Sequence, residues 1–218
     1  LLIVADGMGG HRAGEVASSM VVTHLGKRFN DLVTVGTKYD ATNWLKDNIS
    51  EINHHIVEYA SNNPESKGMG TTVVVALLTH DFLLYANVGD SSGFAMKNGH
   101  IHKITYDHTL VNLLVSAGEL TEEEAKDHPK RNVLMKALGG EEDVVPDIYE
   151  VDMSFDAILL SSDGLTNMLS NEAIEKVLND PELSIEDKVV KLIRKCNARG
   201  GTDNISVAYL DMKSGCEQ

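Results

Sequence analysis

The apolar residues of this chain fall into two kinds of run. In one kind they recur at three- and four-residue spacing. Val16, Met20, Val21 and Leu25 share one stripe, which predicts a helix over 13–28. Trp44, Leu45, Ile49, Ile52 and Ile56 share another, which predicts a second helix over 41–60. In the other kind they are packed solid over a few positions, as in LLIVA (1–5), TTVVVALLTH (71–80), DFLLYANVGD (81–90), DAILLSSDG (156–164) and NISVAYLDM (204–212). Short solid runs bounded by turn residues read as strands.

The punctuation between the runs sets their order. SNNPESKGMG (61–70) is rich in turn formers and reads as a loop. The runs over 71–80 and 81–90 meet near Thr79–Asp81 as a hairpin, and Asn98-Gly99 marks a second hairpin within 92–104. A helix over 108–118 stops at Gly118, and Thr121 with Glu124 forms a capping-box pattern for a short helix. VVPDIYEVD returns to strand. SNEAIEKVLND and SIEDKVVKLIRKCNARGG read as helices, the second capped by Ser184 and ended by Gly200. Adjacent strands joined by hairpins call for antiparallel sheets, and helices must cover their faces. The expected class is α+β, with layered sheets and flanking helices rather than a doubly wound parallel fold. No repeat or low-complexity linker interrupts the pattern, so residues 1–218 are read as one domain.

Composition narrows the function classes. With 33 acidic against 19 basic residues the net charge is −14, and a phosphate backbone would be repelled. Nucleic acid is not an expected partner. Membrane insertion is not expected either, since no run approaches the ~20 apolar residues of a spanning helix. LLIVADG is too short, and lacks the basic lead, for a signal peptide. Cys196 lies in a helical pattern and Cys216 in a polar tail, which makes neither a disulfide framework nor a zinc site. A reducing, cytoplasmic setting is the expectation.

Four strand runs meet an aspartate: Asp6 after LLIVA, Asp90 after YANVG, Asp163 after AILLSS, and Asp203 before NISVAYL. Two of these are Asp-Gly pairs. Taken singly, Asp-Gly is a common turn. Three glycines in the five residues of DGMGG exceed what one turn needs. A phosphate-cradling glycine loop is a rival, but neither GxGxxG nor the P-loop lysine is present. If the four strand ends share one sheet edge, bare carboxylates would repel one another, and a hard divalent cation removes that conflict. Mg²⁺ or Mn²⁺ suits such a site, and two ions roughly 3.5–4 Å apart can acidify a shared water.

The segments VADGMGGHRAGEVAS (4–18), GMGTTVVVALL (68–78), ANVGDS (86–91), DHTLVNLLVSAGELTEEEA (107–125), LLSSDGLTNML (159–169) and GGTDNISV (200–207) occur in that order. Together they resemble the metal-dependent protein phosphatases, the type 2C serine/threonine phosphatases. DGMGGH and the SAGELTEEEA segment are similar to the Gram-positive bacterial enzymes that oppose membrane-bound serine/threonine kinases.

The resemblance implies a four-layer α-β-β-α sandwich of two mainly antiparallel sheets flanked by helices. It implies a phosphatase that hydrolyses phosphoserine and phosphothreonine in phosphoproteins by direct attack of a metal-bridging water. Its ions would be Mn²⁺ or Mg²⁺, two in the core site and a third beside it. By the same resemblance Asp6 bridges two metals, the Gly7 carbonyl completes one, Asp163 and Asp203 hold the other, and Asp90 binds the third. Residues from about 109 to 135 match a flap beside the cleft. His11 is the candidate general acid, although relatives carry histidine directly after Asp-Gly, where this chain has Met8.

Two other departures matter. The upstream strand of the family, with its phosphate-gripping arginine and an acidic residue, is expected to be missing before Leu1, leaving an exposed sheet edge. Ser92 stands where many relatives have arginine. A pseudophosphatase or metal-binding regulatory module of the same fold, and a hydrolase of small phosphate esters, remain as alternatives.

Overall fold

The computed structural model describes residues 1–9 and 11–212, with His11 and Arg12 described by their backbone alone. Two four-stranded antiparallel sheets form its centre. The first has the order β1 (Leu2–Val4), β4 (Val73–Leu78), β5 (Leu83–Val88), β8 (Asp147–Val151). The second has the order β10 (Val207–Asp211), β9 (Ala157–Ser161), β6 (Ser92–Lys97), β7 (His100–Lys103). A two-stranded ribbon of β2 (Gly7–Met8) and β3 (Gly70–Thr71) sits beside the first sheet. Among the described strands, β1 and β10 each have one paired edge.

The solid apolar runs are explained by burial on both faces. In β4, Val73, Val75 and Leu77 pack under α1 (His11–Asn30) and α2 (Lys38–Asn62). Val74 and Ala76 point the other way, with Tyr85, Ile158 and Leu160, into the space between the sheets. In β9, Ala157 and Leu159 pack under α6 (Asn171–Leu178) and α7 (Ile185–Ala198). A strand with core on both sides has no polar face, so its period-2 signal disappears. Three apolar layers thus separate four structural layers, helix pair, sheet, sheet and helix pair, as the sequence led us to expect. No helix among the described residues is long and apolar enough to cross a membrane.

Most elements fall where the pattern places them. At the second hairpin, Asn98 and Gly99 take φ of 54° and 82°, the left-handed pair that a two-residue turn requires. Thr121 and Glu124 close the capping box of α4 (Glu122–Lys126). Three boundaries move for local reasons. α2 begins three residues before 41, because Thr37 and Asp40 make a capping box upstream of the apolar stripe. The loop over 61–70 holds the end of α2, a 3₁₀ turn at Pro64–Ser66 and the start of β3. The helix expected over 108–118 is α3 (Leu110–Ser116), capped by Thr109, which leaves His108 outside it.

Candidate metal centre

Asp6 lies just past β1, beyond the edge of the first sheet. Thr72 fixes its backbone from both sides. The Thr72 N–H donates to the Asp6 carbonyl at 2.9 Å, and the Asp6 N–H donates to Thr72 Oγ1 at 3.0 Å. The Thr71 hydroxyl adds a third bond to the Asp6 carbonyl at 2.9 Å. Thr72 Oγ1 is also 2.7 Å from Ser91 Oγ, which ties this segment to the turn that carries Asp90.

Asp163 and Asp203 come from the second sheet. Asp163 does not end its strand in a turn. It opens the short helix α5 (Asp163–Thr166), with Ser162 at the N-cap position. Asp203 lies in the loop before β10, not on the strand expected from 204, since β10 starts at Val207. Backbone bonds stitch the two segments together. Ser162 N–H donates to the Ser206 carbonyl at 3.0 Å, and Ser206 N–H donates to Ser162 Oγ at 3.0 Å.

The glycines of the two Asp-Gly pairs have a different cause from the sharp turn that the pattern suggests. Neither Gly7 nor Gly164 has positive φ. A Cβ at Gly164 would lie 2.2 Å from the Asn204 carbonyl oxygen, and one at Gly7 would lie 2.1 Å from that of Gly14. Both are places where two backbones meet, and a methyl group would push apart the segments that carry the carboxylates.

The aspartates converge. Asp6, Asp90, Asp163 and Asp203 all line one cavity of about 220 Å³, with Thr72 and Asn132. Burial pushes the Asp6 carboxyl up to about 6, helped by the charges of Asp163 and Asp203 and by a hydrogen bond to Asp163. Burial, then the charge of Asp203, raises Asp163 as well, against bonds from Asp6, Asn167 and the Gly164 backbone. Asp90 is pushed up to about 7, by burial first and then by Asp163 and Asp107. A cluster of carboxylates that resist ionisation together is a candidate site with a stated cause.

The donors fit a hard cation. All four side chains offer oxygen alone, and among the described residues no histidine or cysteine lines the cavity. Among the described residues no three His, Cys, Asp or Glu side chains gather tightly enough to hold one ion between them. They nevertheless line one cavity, and the charges of Asp163 and Asp203 help to raise Asp6. The two observations agree for an ion that takes only one or two carboxylates and completes its shell with carbonyls and water. Mg²⁺ behaves in this way, and octahedral oxygen sites of the same kind suit Mn²⁺.

Comparison with known proteins settles the family. The protein phosphatase 2C profile matches residues 1–205. The chain belongs to the protein phosphatase 2C family. It is 41% identical to the serine/threonine phosphatase stp of Listeria monocytogenes over 212 residues, 97% of this chain and 84% of that relative. The crystal structure of the serine/threonine phosphatase Stp1 from Staphylococcus aureus superposes with a TM-score of 0.91 at 40% identity, covering 97% of this chain and 83% of that one. The catalytic domain of the phosphatase PstP, solved in complex with two manganese ions, matches with a TM-score of 0.83 at 34% identity over 96% of this chain and 86% of that one.

Several residues around this cleft carry no signal in the run pattern. Asn167 donates from Nδ2 to Asp163 Oδ2 at 3.0 Å. Its spacing of four from Asp163 is legible only once α5 is known to be helical. Asp107 is half-buried near Asp90 and raised by that burial against the pull of Lys103, whose Nζ is 2.6 Å away. The Ser92 hydroxyl lies 3.5 Å from Asp107 Oδ1, and Lys103 is the positive partner of that carboxylate. Arg131 lines a side pocket of about 120 Å³ together with Asp90, Asp107 and Asp163. His11 opens α1, but its side chain lies outside the described residues. Cys216 lies outside them altogether, and Cys196, on the inner face of α7, is buried and free.

Proposed function

We propose that this chain is a metal-dependent serine/threonine protein phosphatase that uses Asp6, Gly7, Asp163 and Asp203 as ligands of two Mn²⁺ or Mg²⁺ ions, with Asp90 serving a third. Residues 1–218 act as one phosphatase domain, with 109–135 as its flap. The observation that carries the reading is the convergence of Asp6, Asp163 and Asp203, from opposite ends of the chain, onto the lining of one cleft. When bound, the ions supply an activated water and neutralise charge on the phosphoryl oxygens.

The chain's own residues do the rest. Thr72 holds the Asp6 backbone at two points, so that its carboxylate is placed before substrate arrives. Asn167 and the Ser162–Ser206 bonds fix Asp163 and Asp203 relative to each other. Such preorganisation is what electrostatic catalysis needs. Arg131, on the flap side, brings positive charge to an otherwise acidic cleft and faces an anionic substrate. His11 is the candidate to protonate the leaving alkoxide, as in the sequence reading, with a water held by a bound ion as the alternative donor. The buried Cys196 stands apart from the cleft residues, so a thiol-phosphate route has no support.

The fold, the shared carboxylates and the named phosphatases among the relatives favour phosphoproteins as substrates and a serine/threonine kinase as the opposing activity in the cytoplasm. Phosphate release from a phosphothreonine peptide, measured against Mn²⁺ concentration, tests this. Turnover that requires Mn²⁺ and is abolished by a chelator is expected. A folded chain with no turnover at millimolar Mn²⁺ would favour the pseudophosphatase instead.

A further inference from the structure

The sequence reading gave His108 no role, yet it is one of the most tied residues in the molecule. Its backbone and its ring hold the same neighbour. The His108 N–H donates to the Gly89 carbonyl at 2.9 Å, and the Gly89 N–H donates to His108 Nδ1 at 3.0 Å. Gly89 has φ of +108° and directly precedes Asp90. Asn87 Nδ2 adds a bond to the Gly89 carbonyl at 3.2 Å. On its other side His108 belongs to the base of the 109–135 segment. Its carbonyl accepts from Met135 N–H at 2.8 Å, while Leu110 N–H donates to the Val133 carbonyl at 2.8 Å. Thr109 and Leu134 form a bridge between these contacts. His108 Nε2 lies 3.2 Å from Asp147 Oδ2, off the line of its N–H, and Lys136 binds the other oxygen of that carboxylate at 2.9 Å.

One residue thus joins the turn that aims Asp90 to the stem from which the flap rises. We propose that His108 is a positioning residue that links the geometry of the 109–135 segment to cation binding at Asp90, through its paired hydrogen bonds to Gly89 and its bond to Met135. The proposal rests on Asp90 as a cation ligand, as read above. Because linkage is reciprocal, a cation at Asp90 protects the stem, and a disturbed stem weakens the cation. The group that receives the Gly89 N–H is an acceptor at the δ position of the ring. Asparagine can offer an oxygen there, and phenylalanine fills the space without an acceptor.

The test compares the parent, Asp90→Ala, His108→Phe and His108→Asn. Mn²⁺ binding is followed by the electron paramagnetic resonance of free Mn²⁺, and opening of 109–135 by limited proteolysis with and without Mn²⁺. Circular dichroism and thermal melting establish that each variant is folded. The parent is expected to show a weak site that Asp90→Ala removes, and Mn²⁺ that fills it is expected to slow cleavage in the segment. His108→Phe is expected to weaken that site about tenfold, the loss typical when an outer-shell partner of a metal ligand is removed. It is also expected to cancel the protection, while leaving the tight sites unchanged. His108→Asn is expected to restore most of both. A weak site present in the parent but unchanged in folded His108→Phe overturns the link. No Asp90-dependent site in the parent overturns it too, together with the assignment of Asp90, and so separates the two failures. If His108→Phe does not fold, failure of folded His108→Asn to retain both the weak site and the protection overturns the proposal.

Discussion

Two halves of the cleft are built differently. Asp6, Asp163 and Asp203 hang from the ends of the two sheets and are fixed by bonds within each sheet end, Thr72 to Asp6 in the first and Ser162 to Ser206 in the second. Asp90 sits on a turn whose grip comes from His108 and the base of the 109–135 segment. The first group inherits the rigidity of a doubly buried sandwich. The second inherits whatever the flap stem does. On the function proposed above, a centre that places two ions and a periphery that responds to substrate would thus share one cleft.

The sharpest break between the halves is a pair of neutral substitutions. Asp163→Asn is expected to lower kcat/KM by about a thousandfold or more, on the order of 4 kcal/mol of transition-state stabilisation. Asp90→Asn is expected to cost at most about tenfold at saturating Mn²⁺, by the outer range for weaker ligation. Steady-state phosphate release gives both numbers, and equal losses would erase the distinction.

Gly164→Ala comes next. Its methyl group would press on the Asn204 carbonyl and drive the Asp203 segment from Asp163. We expect turnover to fall by about a hundredfold, a ~1 Å misplacement being sufficient for that loss. A variant with parental Mn²⁺ affinity and kcat would show that the contact is slack. Thr72→Val should follow, with a smaller loss. It keeps the backbone bond to Asp6 but removes the acceptor of the Asp6 N–H and the link to Ser91. Thr72→Ser should retain most activity, and titration of Mn²⁺ against rate separates the two variants.

The smallest effect concerns protons. Asp6 and Asp90 titrate near 6 and 7 in the folded chain, against about 3.9 when unfolded. Between about pH 4 and 7 the folded state therefore holds protons that the unfolded state has released, and stability rises as pH falls through that window. The lowered values of the half-buried His24 and His108, caused first by burial, work in the opposite direction. Urea midpoints in a chelator at pH 5.5 and 7.5 should thus be compared between the parent and the Asp6→Asn/Asp90→Asn double variant. The parent should gain more from the lower pH. Identical pH responses would contradict the coupling.

The fold was largely legible in the chain because two-sided burial of β4, β5 and β9 leaves solid apolar runs, and the turns between them carry strong local chemistry. The four aspartates were legible as well, each standing next to such a run. What could not be read from the sequence depends on approach between distant segments. The reason for Gly7 and Gly164 is a neighbouring backbone, not a local turn, and no pattern within either segment reveals that neighbour. Thr72, Asn167 and His108 act through bonds to backbone or carboxylate brought near by folding. His108 was hidden further by its place next to a helical stripe, where it reads as a first-turn residue.

The central claim is that Asp6, Asp163 and Asp203 jointly hold divalent cations. Anomalous diffraction at the manganese edge, from crystals of the parent chain grown with Mn²⁺, tests it most directly. Two peaks are predicted in the cleft, both next to Asp6, one on the Gly7 side and one beside Asp163 and Asp203. Mn²⁺-dependent activity in solution with no anomalous peak at these carboxylates would contradict the account.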